Sequence, residues 1–289
     1  MEKRVRLRLE ALEPRQLLSA TLLTPIDDVD VFTGSPNTVL DLSGTFDDPA
    51  VTGTTVRINT NLGNIDVELY DAATPLTVAN FLSYMDDEDY WSSLIDRSVP
   101  GVLIQGGGYW YPEWQTVPAD PPVQNEPGIS NTRGTLAMWK PDGEPDGATS
   151  QWFINLADNS ATFDFENGGY TVFGRVLGNG MEVADAIAAV PTYDVTVNGI
   201  QFPEIPLRDY PGDGSQPGSA NVVLVNDIYG VSKLTLTVTN DNPDLVTATL
   251  NGTSLTLAYA AGQWGTATIT VRATDLDGTF VEDSFVVTV

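Results

Sequence analysis

Neither histidine nor cysteine occurs in the sequence, so any chemistry must use carboxylates, arginines, amides, tyrosines or binding alone. A Ser-His-Asp triad, an imidazole base and a histidine-ligated zinc site are therefore excluded, as are a thiolate nucleophile and a disulfide framework. The polar side chains that could act are grouped with apolar ones in four blocks. These blocks are 95–108 (IDRSVPGVLIQGGG), 133–138 (RGTLAM), 148–155 (ATSQWFIN) and 169–176 (GYTVFGRV).

The order and spacing of the four blocks resemble the cyclophilins, most closely the exported bacterial members of that family. A lone QGGG would be a weak signal, whereas the four ordered blocks extend the resemblance over more than half of the chain. The resemblance implies a mainly β fold over residues 54–212, an eight-stranded antiparallel barrel with two capping helices. It also implies peptidyl-prolyl cis-trans isomerase activity, with proline-containing peptides or unfolded proteins as partners.

Rotation about an X-Pro bond breaks amide resonance at a barrier of about 18–20 kcal/mol and needs no covalent step. The catalyst must hold the proline ring, exclude water and favour the twisted amide, whose nitrogen regains a lone pair. The resemblance implies that Arg97 donates a hydrogen bond to this nitrogen and that Gln105 orients the arginine. It implies no cofactor or metal, and it assigns substrate binding to Val102, Leu103, Met138, Trp139, Lys140, Gln151, Phe153, Phe163 and Tyr170.

The sequence departs from the family pattern around the expected proline pocket. Val102-Leu103 replaces the usual Phe-Met pair, and Thr162-Phe163 replaces a common Trp-Leu pair. Pro141, in a stretch where many members have Met-Ala-Asn-Ala, has no N–H to offer a substrate carbonyl. Replacing phenylalanine by valine removes roughly 1–2 kcal/mol of contact with a proline ring, so we expect weaker binding with the chemistry retained.

The spacing of apolar residues predicts the strands and helices that must position these side chains. Alternating apolar residues predict two strands joined by a turn between positions 56 and 69. Apolar spacing predicts helices near 74–86 and 180–190, where two caps of a barrel are needed. The segment 109–127 is rich in aromatic residues and prolines. It is either an aromatic shelf for extended peptides or a loop packed onto the barrel.

The segments on either side of residues 54–212 have a different pattern. Five strictly alternating runs between positions 234 and 289 predict strands and resemble the immunoglobulin-like or cadherin-like repeats of bacterial surface proteins. Residues 214–289 are short for such a sandwich, and residues 24–53 look like its opening strands. We therefore predict one discontinuous sandwich of 24–53 and 214–289, with an isomerase inserted that folds without outside strands. The alternative is a separate N-terminal arm beside a C-terminal domain.

The N-terminal residues 1–20 carry five of the 13 basic residues, against 39 acidic residues in the whole chain. The run 12–18 (LEPRQLL) resembles the LEPR-XLL motif of large bacterial surface proteins and implies a sorting or export segment. The alternative is an amphipathic basic helix on a partner or membrane surface. We expect an exported bacterial protein in the periplasm, at the cell surface or outside the cell, with no transmembrane span.

The net charge of −26 makes nucleic-acid binding untenable, because such a surface repels phosphate. We attribute the acidic composition to a solvated surface that is adapted to salt. The alternative explanation is that some of the aspartates bind calcium. Two functions stay open at this point. One is an active exported isomerase; the other is a structural or adhesive surface protein that keeps a weakly active barrel as a peptide-binding module.

Overall fold

The computed structural model describes residues 20–289, so the predicted sorting segment 1–20 lies almost wholly outside the described residues. Contacts divide the described chain into two compact units. The barrel unit comprises 51–233 with 276–278, and the second unit comprises 20–50, 234–275 and 279–289. No helix in the part of the chain that is described is long and apolar enough to cross a membrane.

The structure is mainly β, as expected, with three α-helices among the described residues. The first strands are β1 (Thr21–Leu22), β2 (Val29–Asp30), β3 (Thr38–Asp41), β4 (Phe46–Asp47), β5 (Thr55–Thr60) and β6 (Gly63–Leu69). Helix α1 (Pro75–Asp86) precedes β7 (Ser93–Val99), β8 (Leu103–Trp110), β9 (Gln115–Thr116), β10 (Thr135–Met138) and β11 (Trp152–Asn155). Then come α2 (Ser160–Phe163), β12 (Val172–Leu177), α3 (Gly180–Ala188), β13 (Thr192–Val197), β14 (Ile200–Pro206) and β15 (Leu224–Gly230). The chain ends with β16 (Leu234–Asn240), β17 (Val246–Asn251), β18 (Ser254–Tyr259), β19 (Thr266–Asp275) and β20 (Phe280–Thr288).

Eight strands of the barrel unit form a closed ring in which every pairing is antiparallel, and this confirms the predicted barrel. The order is β11-β10-β12-β6-β5-β15-β7-β8, and β8 pairs with β11 to close it. The short strand β9 adds to the outer part of β8. Closure leaves none of the eight strands with a free edge along its paired length.

The eighth strand corrects a predicted boundary. Strand β15 pairs with β5 through Ile228 and Ile58, and with β7 through Leu224 and Leu94. Residues 214–233 therefore belong to the barrel unit and not to the flanking sandwich, and the barrel does need a strand beyond residue 212. The side chains of Val223, Val225 and Ile228 lie in the barrel core. The apolar pattern of these residues indicates a strand but does not indicate which sheet the strand joins.

The two predicted helices are present and close the barrel core. Helix α1 begins with Pro75 in its first turn and buries Val78, Phe81 and Tyr84 against the barrel interior. Helix α3 buries Ala184 and Ile187 in the same core. The apolar faces of the two helices pack into the barrel core. This packing fixes the strands, and with them the side chains on the outer face of the barrel.

The hairpin of β13 and β14 lies outside the eight-stranded ring and forms a separate two-stranded sheet. Its buried side chains Val197, Phe202 and Ile205 share an apolar cluster with Leu94 of β7 and Trp114 of the aromatic loop. Trp114 is thus buried, and Tyr109 and Tyr111 pack against the same cluster while partly exposed, as expected for a loop folded onto the barrel.

In the second unit, strands β16-β19-β20-β2 form one sheet and β17-β18-β3 form another. Strand β3 pairs with β18 in antiparallel register, and β2 pairs with β20 in parallel register. Buried residues of both sheets share one apolar core. The assignment of this two-sheet unit to the immunoglobulin-like or cadherin-like class stays a prediction.

Candidate active site

A row of cross-strand neighbours on the barrel brings the main predicted residues together. Arg97 of β7 is paired with Gln105 of β8, and Gln105 is paired with Phe153 of β11. The row continues through Ala137 of β10 to Val172 of β12. Directly paired residues of antiparallel strands project from the same face, with Cβ atoms about 4.5–5.5 Å apart. Ile104 and Ile154, on the opposite face, are in the barrel core, so the row lies on the outer surface.

The apolar end of the row is a cluster of aromatic and aliphatic side chains. Leu103, Ala137, Phe153 and Val172 are buried in one cluster. The ring of Phe153 lies 5.5 Å from that of Phe163 and 5.6 Å from that of Tyr170, both edge-on. Other partly exposed side chains packed against the cluster include Val102 and Trp139. Six predicted binding residues therefore belong to this cluster: Val102, Leu103, Trp139, Phe153, Phe163 and Tyr170.

Three predicted binding residues lie outside this cluster: Gln151, which lines a cavity beside Arg97, and Met138 and Lys140. Met138 follows Ala137 on β10, and the period-two alternation of a strand turns its side chain into the barrel core. Lys140 is only 1% exposed, and its Nζ donates to the backbone carbonyls of Pro145 at 3.0 Å and Gly169 at 2.7 Å. Burial lowers the pKa of Lys140 to about 8, although nearby Asp146 favours the charged form. Lys140 thus holds two loops together and has no surface for a substrate.

The polar end of the row differs from the predicted arrangement. Gln105 is buried, with 4% exposed, and its Nε2 donates to Oε1 of Gln151 at 2.7 Å. Within residues 20–289, Oε1 of Gln105 accepts no hydrogen bond. Gln105 thus makes no hydrogen bond to its cross-strand neighbour Arg97 here, and its role in orienting the arginine stays a prediction. Nε of Arg97 donates instead to Oε2 of Glu204, on β14, at 3.1 Å.

A cavity of about 220 Å³ lies beside Arg97. The residues that line it come from the barrel, the aromatic loop and the β13–β14 hairpin: Asp96, Arg97, Gln105, Tyr109, Trp139, Gln151, Gln201, Phe202 and Pro203. Gln105 lines this cavity, and its cross-strand neighbour Phe153 belongs to the apolar cluster, so the two features are adjacent on the outer face.

Asp96 is a feature of the site that the sequence reasoning missed. The residue is 6% exposed, and its Oδ1 has no hydrogen-bond partner among the described residues. Burial raises the pKa of Asp96 to about 7, while backbone N–H groups, including that of Gly108, and the charge of Arg97 oppose the shift. The sequence feature that could have indicated Asp96 as a site residue is its position directly before Arg97 in the 95–108 block.

Comparison with known proteins agrees with this geometry. Residues 55–205 match the family model described as cyclophilin type peptidyl-prolyl cis-trans isomerase/CLD. The chain is 44% identical over 146 residues to a peptidyl-prolyl cis-trans isomerase of Acinetobacter baylyi, covering 50% of this chain and 76% of the relative. It is 42% identical over 152 residues to peptidyl-prolyl cis-trans isomerase A of Dickeya dadantii, covering 50% and 77%. It is 38% identical over 143 residues to peptidyl-prolyl cis-trans isomerase B of Escherichia coli, covering 47% and 85%.

The closed antiparallel barrel agrees with the family that these comparisons name. The chain belongs to the cyclophilin-type peptidyl-prolyl cis-trans isomerases.

Proposed function

We propose that the barrel unit catalyses cis-trans isomerisation of X-Pro bonds in peptides and unfolded proteins, with Arg97 as the catalytic residue. The observation that carries this proposal is the row Arg97–Gln105–Phe153 across three neighbouring strands. It places the backbone of Arg97 about two strand spacings, roughly 10 Å, from that of Phe153. This distance spans a proline ring and the peptide bond that precedes it.

The site can lower the barrier to rotation about the X-Pro bond by binding the peptide alone, without a covalent step. We assign the proline pocket to the outer side of the apolar cluster around Phe153 and Leu103, where the proline ring binds by burying apolar surface. The Arg97 side chain is 38% exposed, so its donors can reach a bound peptide. As the amide twists, its nitrogen regains a lone pair and becomes a better acceptor for the guanidinium. An arginine is charged at every working pH, so this donation needs no proton transfer.

The test is a protease-coupled assay on a proline peptide with the Arg97→Ala variant. We expect the turnover to fall at least about tenfold, or about 1.4 kcal/mol in transition-state stabilisation, with nearly unchanged thermal stability. Arg272→Ala is a matched control, because Arg272 is 45% exposed and ion-paired with a half-exposed glutamate in the other unit. Equal rates for parent and Arg97→Ala would contradict the catalytic role and favour a peptide-binding module without activity.

We further propose that the protein acts outside the cytoplasm on exported proteins. The support is the LEPR-XLL-like run at positions 12–18 and the strongly acidic composition that suits a salt-exposed surface. Fractionation of cells expressing the full chain, with and without residues 12–18, tests this proposal. Retention of the intact chain in the cytoplasm would overturn it.

A further inference from the structure

The β13–β14 hairpin is fixed beside the catalytic row by its apolar side chains. The ring of Phe202 lies 5.3 Å from that of Trp114 and 4.7 Å from that of Tyr109, both edge-on. Phe202, Ile205 and Val197 are all buried. A hairpin anchored in this way gives a defined position to any side chain that it projects toward Arg97.

Glu204 is the side chain of this hairpin that meets Arg97, and its backbone is unusual. Its φ is 57°, a conformation that a residue with a Cβ seldom adopts. Its N–H donates to Oδ1 of Asp194 on the facing strand at 3.1 Å. Backbone strain of this kind costs of order 1–3 kcal/mol and persists only where surrounding structure enforces it. Strained residues gather at functional sites, and here the strained residue holds an active-site arginine.

The ion pair leaves the working end of the arginine available. Nε of Arg97 donates to Oε2 of Glu204, and within the described range its terminal Nη groups make no hydrogen bond to the protein. A guanidinium held at Nε loses rotamer freedom before the substrate arrives, so less entropy is lost in the reaction. Gln105 makes no hydrogen bond to Arg97 in the described part of the chain: its Nε2 donates to Gln151, and its Oε1 accepts none.

We propose that Glu204 is the positioning residue for Arg97, so that the hairpin outside the barrel supplies part of the isomerase machinery. This inference rests on the proposed catalytic role of Arg97. Glu204 acts through the arginine and does not touch the substrate. Its removal therefore lowers activity only while Arg97 is present.

The decisive experiment is a double-mutant cycle on the full chain, with Glu204→Gln, Arg97→Ala and the double variant. We expect Glu204→Gln to lower kcat/KM roughly two- to fivefold, the range that partly exposed ion pairs supply. In the Arg97→Ala background the same substitution should change nothing. Glu282→Gln, which breaks an ion pair of similar exposure in the other unit, is the control and should leave the rate unchanged.

Two further measurements separate positioning from a structural role. NMR of the arginine Nε–H groups should show a protected Arg97 signal in the parent that becomes exchange-broadened in Glu204→Gln. Glu204→Gly also removes the carboxylate but suits the positive φ, so it should lower kcat/KM without lowering the melting temperature.

The outcomes distinguish the two proposals. If Arg97→Ala is impaired but Glu204→Gln matches the parent, the positioning role is wrong and the isomerase mechanism stands. An equal loss from Glu204→Gln with and without Arg97 also overturns it, because the glutamate then acts elsewhere. If parent and Arg97→Ala have the same rate, both proposals fail together.

Discussion

Replacing the buried Asp96 by asparagine should change how the stability of the barrel depends on pH. Burial raises the pKa of this carboxyl group from about 3.8 to about 7. In the folded protein Asp96 therefore stays neutral between pH 4 and pH 7, whereas in the unfolded chain it ionises. Over this window the unfolded state binds fewer protons, so the stability that neutral Asp96 contributes is lost as the pH rises from 4 through 7.

The magnitude follows from the size of the shift. About three pH units at 1.36 kcal/mol per unit give a loss of at most about 4 kcal/mol in the free energy of unfolding. An asparagine side chain has the shape of the neutral acid and cannot ionise, so the Asp96→Asn variant should lack this loss. Relative to the parent, the variant should gain stability steadily from pH 4 to pH 7 and then level off.

Urea unfolding at fixed pH values, followed by tryptophan fluorescence, measures this difference. The signal reports mainly on the barrel unit, because five of the six tryptophans lie in it. Comparing variant with parent at each pH cancels the titration of the many other carboxylates. Parallel stability curves for the two proteins across pH 4 to 8 would show that Asp96 ionises normally, and the reasoning from burial would then be refuted.

Two further predictions concern the barrel and its pocket. A fragment of residues 51–212 lacks β15 and the buried side chains of Val223, Val225 and Ile228, so it should lose on the order of 5 kcal/mol and aggregate, whereas 51–233 should melt cooperatively in a thermal scan. A folded 51–212 fragment would contradict the assignment of β15 to the ring. Val102→Phe should tighten the binding of a proline peptide roughly fivefold, measured by calorimetry, because about 1 kcal/mol of apolar contact is added at the pocket rim. Weaker binding by a stably folded variant would mean that neighbouring rings already fill this volume.

The resemblance carried by the four blocks was sufficient to predict the eight-stranded barrel, and apolar spacing was sufficient to predict its two capping helices. Alternating runs such as 56–69 also indicate which face of a strand is buried. The strand Leu224–Gly230 was misplaced because it pairs with residues far away in the chain, and its alternation resembles that of the strands after it. Periodicity identifies a strand but does not name its partner.

The errors in the site have a related cause. Lys140 was assigned to substrate binding because the resemblance places it in the stretch where many members have Met-Ala-Asn-Ala. Its hydrogen-bond acceptors become visible only when the chain is folded. Met138 was misassigned although the alternation of β10 already separates it from Ala137. Glu204 is 107 residues from Arg97 in sequence, and nothing local to either residue indicates the pair.

The pairing of β15 with β5 has a consequence for synthesis on the ribosome. The strand β5 (Thr55–Thr60) is synthesised before its partner β15, which follows it by more than 160 residues. At about 5–20 residues per second, this partner emerges roughly 10–30 s after the first barrel strand. During that interval the edges of β5 and β7 that later receive β15 stay open, and open strand edges recruit other chains. We therefore expect the nascent chain of this protein to need chaperones that cover exposed strand edges until β15 has been synthesised.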